Sequence, residues 1–234
     1  SRTDLDYLIQ VGQLVQNSGA DRFSLADTVG CLTPTKTKIL VSRLVAELDI
    51  PVHVHCHNDF GMATANALSA LEAGAQCVDV AVNGLGERCG LPPLAEIVAA
   101  LTNLYKINGK WDLGMIPELT KMVDSFTKLD SNVNQPIVGK NAFTHKAGLH
   151  VKAVVIEPKS YEAISPESLK RKRHFVIDKF TGKSALKNRL NHLGISVSPK
   201  ELDCLLIEIK FHPDKLNWDD NELISLTKSQ GIKL

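Results

Sequence analysis

The chain has 234 residues, 44% of them hydrophobic and 23% charged, the composition of an ordinary globular protein able to form one large domain or two smaller ones. A net charge of +1 gives no reason to expect a nucleic-acid partner, no apolar run approaches membrane-spanning length, and no signal peptide is visible. Five scattered cysteines, odd in number and without CxxC spacing, fit a reducing compartment and a cytoplasmic address.

Residues 3–18 carry Leu5, Leu8, Ile9, Val11, Leu14 and Val15 at helical spacing, and Gly19 ends the run. The pattern then predicts a short strand over 21–27, a helix over 34–48, a strand over 50–57, a helix over 61–74 ending at Gly74, a strand over 76–83 and a helix over 92–106. Strands that recur about every 27 residues, each followed by a helix, mean parallel β/α units with right-handed crossovers. Only three strands are read, whereas a closed (β/α)8 barrel takes about 250 residues. The pattern therefore fits either the last part of a barrel or a small open sheet. After about residue 108 the rhythm stops. A helix is expected over 115–129, a Gly- and Pro-punctuated passage over 130–160, and short helices over 166–170, 183–193, 198–210 and 219–229.

Chemistry concentrates in four passages. At the end of the first strand, Ala26-Asp27-Thr28-Val29-Gly30 offers in Thr28 a small hydroxyl able to hold a carboxylate, although Asp and Thr before a helix are also routine caps. At the end of the second, alternation puts His55 and His57 on one face and Cys56 on the other, a spacing suited to a metal. Histidines at a strand end can also be satisfied by hydrogen bonds, and two ligands cannot close a site. The third passage, Asn83-Gly84-Leu85-Gly86-Glu87-Arg88-Cys89-Gly90-Leu91, turns tightly on its glycines while Glu87 and Arg88 can pair or bind anions. The fourth, Phe143-Thr144-His145-Lys146-Ala147-Gly148-Leu149-His150, is followed eleven residues after His150 by Tyr161, and a His with a Tyr hydroxyl can act as a general base. Taken without the others, it reads as a polar linker.

The order and spacing of these passages, with "HCHNDFGMATANALSALEAGA", "NGLGERCGLPPL", "AFTHKAGLHVKA" and "DKFTGKSALKNRL", resemble the isopropylmalate synthase and homocitrate synthase superfamily of metal-dependent acyltransferases. The likeness is closer to the homocitrate synthases and covers essentially the whole chain. It implies an α/β fold, the C-terminal part of a (β/α)8 TIM barrel with about its last three strands, followed by a mainly helical dimerisation and catalytic subdomain. The expected divisions are a barrel part over 1–108, a linker and catalytic subdomain over 109–165 carrying His150 and Tyr161, and a helical subdomain over 166–234. The resemblance also implies that His55 and His57 bind a divalent metal ion (zinc, magnesium or manganese), and that Thr28 contacts the 2-oxo acid. His150 and Tyr161 are implied to be catalytic and delivered from the partner subunit of a homodimer with subdomain exchange. Acetyl-CoA is the implied co-substrate, the reaction a Claisen condensation; neither nucleic acid nor membrane is an expected partner.

The chain departs from the family pattern in three ways. The first-strand Arg-Asp or Arg-Glu motif that supplies a third metal ligand, and a mid-barrel arginine and serine, are not found in it, so the chain is expected to be the C-terminal part of a longer enzyme. Leu91, Pro92 and Pro93 follow the GERxG motif where isopropylmalate synthases usually carry Asn, which favours 2-oxoglutarate as acceptor. His53 lies on the face of the histidine pair, about 7 Å deeper by strand rise, where lysine-regulated homocitrate synthases tend to place a glutamate; it reads as a packed interior histidine rather than a third ligand. Two alternatives stay open, a 2-isopropylmalate synthase or related acyltransferase, and a non-catalytic dimerisation fragment. The basic run Lys170-Arg171-Lys172-Arg173-His174 reads first as solvated surface and second as a contact for CoA phosphates.

Overall fold

The first helix, α1 (Leu5–Asn17), starts where the Asp4 carboxylate accepts the Tyr7 N–H at 3.0 Å. Gly19, with φ of 87°, turns the chain out of it. Strand β1 (Phe23–Asp27) follows, and α2 (Pro34–Glu47) begins with Thr33 as its cap and Pro34 in its first turn. The rest of this region is β2 (Val52–Cys56), α3 (Ala63–Glu72), β3 (Cys77–Val78), α4 (Leu94–Asn103) and α5 (Ile116–Thr127). The computed structural model describes residues 1–146 and 148–232, and these divide into two units, Ser1–Gly139 and Lys140–Leu234.

In the first unit β1, β2 and β3 form one parallel sheet in chain order. Its register pairs Ala26 with His55 and His53 with Cys77. Phe23, Leu25, Val52, Val54 and Cys56 point to the side covered by the helices and join Val41, Leu44 and Ile9 in one apolar core. The other side carries Ser24, Ala26, His53 and His55, as period-two alternation requires.

All three expected strands are shorter than the sequence pattern indicates, the first starting at Phe23 rather than at residue 21. The run over 50–57 forms strand only from Val52, because Pro51 has no N–H to give a ladder and Leu48 closes α2. The run over 76–83 pairs only at Cys77 and Val78; beyond it the backbone keeps a single bridge, Ala81 to Pro93, and tightens into a 3₁₀ turn at Val82–Gly84.

The second unit contains a two-stranded parallel pair, β4 (Thr144–His145) with β5 (His174–Phe175), and helices α6 (Gly148–Ile156), α7 (Lys183–His192), α8 (Pro199–Phe211) and α9 (Asp220–Ser229). The short helices after 183 stand close to where the sequence places them, since α8 and α9 each open with a full capping box, Ser198 with Glu201 and Asp219 with Glu222. Helix α6 is a correction. The passage 130–160 reads as punctuated linker, yet 148–156 is helical, with Val151 and Val154 buried against Leu186, Leu190 and Leu205. Ala147, within the fourth chemical passage, lies outside the described residues. Among the described residues no helix is long and apolar enough to cross a membrane.

Leu44 is fully buried between the sheet and its helices. Leu44→Ala is expected to lower unfolding stability by about 3 kcal/mol, the usual cost of a large-to-small core change. A shift of the urea midpoint without a change of slope would be the readout.

Candidate active site

The chemistry of the first unit gathers where β1, β2 and β3 end. His55 Nδ1 lies 2.7 Å from Asp79 Oδ2, so the carboxylate accepts the Nδ1–H and leaves a lone pair on Nε2. That Nε2 faces His57 Nε2 at 3.3 Å. His57 is buried and its Nδ1 has no hydrogen-bond partner. Each neutral tautomer of His57 therefore leaves a group unsatisfied. A proton on Nε2 satisfies His55 and strands a buried Nδ1 acceptor, whereas a proton on Nδ1 strands a buried donor and brings two lone pairs together.

A cation between the two Nε2 atoms removes the second conflict. Imidazole nitrogens bind zinc at about 2.0–2.1 Å, and two of them on one ion stand roughly 3 Å apart, close to the observed separation. The residues therefore fit a divalent metal ion, with Asp79 as the outer carboxylate that fixes the orientation of His55. Among the described residues no group of three His, Cys, Asp or Glu side chains gathers to hold a metal. His53 is buried and engages the other Asp79 oxygen at 2.9 Å, so it braces the carboxylate that braces His55. Asp79 is held below the usual carboxylate range by its hydrogen bonds to His55 and His53, which outweigh the opposing effect of its burial.

Three loops are tied together beside this pair. Arg88 donates from Nε to Asp59 Oδ1 at 2.7 Å and from an amino group to Asp59 Oδ2 at 3.1 Å, a two-pronged contact, and reaches the Thr28 carbonyl at 2.6 Å. The Arg88 hydrogen bond holds the Asp59 carboxyl below its ordinary range. Gly30 allows the contact, because a Cβ there would stand 2.5 Å from Asp59 Oδ2. Gly90, with φ of 81°, brings its backbone against the Gly84 carbonyl oxygen, with which any Cβ would collide, and accepts the Asn58 N–H at 3.0 Å. Asn83, in a left-handed conformation, donates to the Thr120 carbonyl at 3.1 Å and to Asp124 at 2.8 Å, which anchors the glycine-rich loop to α5.

Thr28 stands exposed at the end of β1, on the turn that Arg88 grips. It is not a helix cap. Thr33 caps α2, and the buried Asp27 carboxylate instead accepts the N–H groups of Cys31 at 3.1 Å and Leu32 at 2.9 Å. In the second unit the His150 and Tyr161 rings lie 4.3 Å apart between centroids, inclined by 31°, and both side chains are exposed. Helix α6 carries the His, and the 3₁₀ turn at Pro158–Ser160 presents the Tyr.

Sequence reasoning missed Asp79. The available signal was a single carboxylate inside the apolar run Cys77-Val78-Asp79-Val80, in phase with the face that bears the histidines. It allowed Glu87 and Arg88 to pair, and they do at 3.7 Å, but it did not foresee that Arg88 makes its closer contact with Asp59, 29 residues away, at 2.7 Å.

A parallel β/α sheet with its polar chemistry at the carboxyl ends of the strands is the plan on which β/α enzymes build their sites. The chain belongs to the HMGL-like family, whose pattern matches residues 1–123. A second family, described as homocitrate synthase post-HMGL domain-like, matches residues 137–217. The chain is 46% identical over 230 residues to a homocitrate synthase of Sulfurisphaera tokodaii, a match that takes in 98% of this chain and 50% of that protein. It is 43% identical over 215 residues, 92% of this chain and 43% of the other, to a Methanopyrus kandleri protein named "Probable 2-isopropylmalate synthase". It thus spans about half the length of the curated relatives it matches. Among solved structures, the hydroxymethylglutaryl-CoA lyase of Pseudomonas aeruginosa superposes with a TM-score of 0.50 at 23% identity over 55% of this chain and 45% of that one, a likeness of fold.

Cys56 lies on the helix side of β2, 1% exposed, and burial, aided by Asp27 and Asp79, pushes its thiol up to about 12. Alkylation of the folded protein should label the exposed Cys31, Cys89 and Cys204 and spare Cys56, with peptide mass mapping as the check.

Proposed function

We propose that this chain is part of a homocitrate synthase, an enzyme that condenses acetyl-CoA with 2-oxoglutarate and water to give homocitrate and free CoA. The reading rests above all on the convergent, carboxylate-braced pair His55 and His57 at the ends of parallel β/α strands. The match of both segments of the chain to the HMGL-like and homocitrate synthase post-HMGL families supports it, as do the relatives named homocitrate synthase. The three parallel strands are then the last three of a (β/α)8 barrel, and the second unit is the helical subdomain that follows it.

His55 and His57 would hold a divalent metal ion, which when bound supplies Lewis-acid polarisation of a 2-oxo acid carbonyl. The residues of this chain have the remaining tasks. Asp79 keeps the Nε2 lone pair of His55 turned toward the ion site. Thr28, on a turn fixed by Arg88, places its hydroxyl where it can donate to the substrate carboxylate. His150, beside the Tyr161 ring, takes a proton from the acetyl methyl group, and Tyr161 orients the imidazole or passes the proton on. The enolate carbon so formed attacks the keto carbon, a carbon–carbon bond replaces the carbonyl π bond, and water cleaves the thioester with release of the CoA thiol. The irreversible hydrolysis drives the sequence forward.

A homodimer that exchanges subdomains completes the proposal. Its support is α6, which buries Val151 and Val154 within its own unit but leaves Leu149 at 72% and Ile156 at 73% exposure alongside the exposed His150. The closer match of chemistry after the GERxG motif, Leu91 with Pro92 and Pro93, favours 2-oxoglutarate over a branched acceptor. With His53 where lysine-regulated homocitrate synthases tend to carry a glutamate, residue 53 itself offers no carboxylate to a lysine ammonium group.

In the complete natural polypeptide that carries this chain, thiol release from acetyl-CoA should require a divalent metal and be fastest with 2-oxoglutarate. Faster release with 2-oxoisovalerate would reject the homocitrate reading and favour isopropylmalate synthesis. His57→Ala is expected to lose bound metal, whereas His150→Ala should cut turnover by about 10²–10⁴-fold, the range of general acid–base catalysis, at near-normal metal content. Loss of metal in the His150 variant would remove that residue from its assigned role.

A further inference from the structure

The basic run Lys170 to His174 has no part in the proposed condensation, and although Lys170 and Lys172 are exposed, the run borders a cleft. Together with α6 and α7 it walls a cleft of about 970 Å³ within the second unit, at the upper end of the roughly 300–1,000 Å³ typical of small-molecule sites. The lining divides by chemistry. Val154, Phe175 and Leu193 provide an apolar floor, while five lysine and arginine side chains stand against two carboxylates, Glu167 and Asp220.

Part of that positive charge is already balanced. Arg173 is committed to Glu162, at 2.7 and 2.8 Å, and to Glu167 at 2.9 Å. Arg189 forms an ion pair with Asp220 Oδ1 at 2.7 Å, but neither that oxygen nor the buried Arg189 Nε has a hydrogen-bond partner. The neighbouring Asn188 Oδ1 is likewise buried and unpaired. Lys172 has no acidic partner among the described residues. Burial and the nearby Arg189 together push the His174 imidazole below its ordinary value, as expected where positive charge is in excess. A buried guanidinium N–H and a buried amide oxygen left unpaired are costly, and both belong to residues that line the cleft, where a ligand could supply an acceptor and a donor.

We propose that this cleft binds a phosphorylated small molecule of nucleotide size. Its phosphate oxygens are taken by Lys172 and Arg189, Asn188 Oδ1 accepts a hydroxyl or amino hydrogen from it, and its base lies on the apolar floor. Inorganic phosphate would use the cations and leave the floor and Asn188 unmet. An adenosine phosphate group reaches a protein either as a free nucleotide or as the end of coenzyme A, and both carry the same chemistry. The cleft involves none of the residues assigned to the condensation, so free-nucleotide binding stands independently of that reading, whereas assignment to coenzyme A rests on it.

Calorimetric titration of the whole chain with ADP, coenzyme A, pyrophosphate and inorganic phosphate tests this. The expected result is saturable binding of ADP or coenzyme A, with the two inorganic anions weaker and affinity falling as salt rises. Lys172→Glu, an exposed change that leaves the core untouched, and Arg189→Gln, with its fold checked by circular dichroism, should each weaken binding at least about tenfold, or about 1.4 kcal/mol. Tighter binding of coenzyme A than of ADP assigns the coenzyme as the source, and equal affinity assigns free nucleotides. Absence of saturable binding of either at millimolar concentration, binding that Lys172→Glu leaves unchanged, or binding of inorganic phosphate alone would overturn the proposal.

Discussion

Alternation along β2 decides what each side of the sheet can be used for. Val52, Val54 and Cys56 are in the phase that meets the helices, and all are essentially inaccessible. His53, His55 and His57 are in the opposite phase, and a slip of one residue would drive three imidazoles into an apolar core while exposing the residues that hold α2 and α3 in place. The cost of such a slip fixes the register, and the register puts Asp79, the residue just after β3, level with His55. Everything polar at the strand ends inherits its position from that one constraint.

The loops then need their own restraint, because strand ends alone do not set the path of the chain beyond them. Arg88 provides it by joining the turn after β1, the segment after β2 and the loop after β3 through Asp59 and the Thr28 carbonyl. Such an exposed ion pair contributes little to global stability. Its value is geometric, since a planar, two-pronged contact holds three loops to one arrangement in a way that a flexible lysine could not. Gly30 and Gly90 are the counterpart on the backbone, clearing space where a side chain would force those loops apart.

The second unit presents the opposite case. Its strands are two residues long, and its core is built by helices whose ends are fixed by capping boxes at Ser198 and Asp219. Helix α6 escaped the pattern of the sequence because it is apolar nearly all round: Leu149, Val151, Val154, Val155 and Ile156 show no stripe that would separate a buried face from a solvated one. The burial of Val151 and Val154 reveals which face belongs to this unit, while Leu149 and Ile156 are left over.

The sequence by itself determined the β/α rhythm of the first unit, the helices of the second after residue 183, and the phase that sets His55 and His57 on one face, because these follow from local periodicity and capping. It also carried the family through the spacing of its motifs. Only the tertiary structure decided which carboxylate braces which imidazole and which acid Arg88 selects. It alone gave helical form to 148–156 and made the basic run the wall of a cleft. Those outcomes depend on contacts between residues far apart in the chain, with Asp79 24 residues from His55 and Arg88 60 from Thr28. Pairings over such separations leave no period in the sequence, and the physical competition among many possible partners is settled only when the sheet register brings particular side chains within a hydrogen bond of one another.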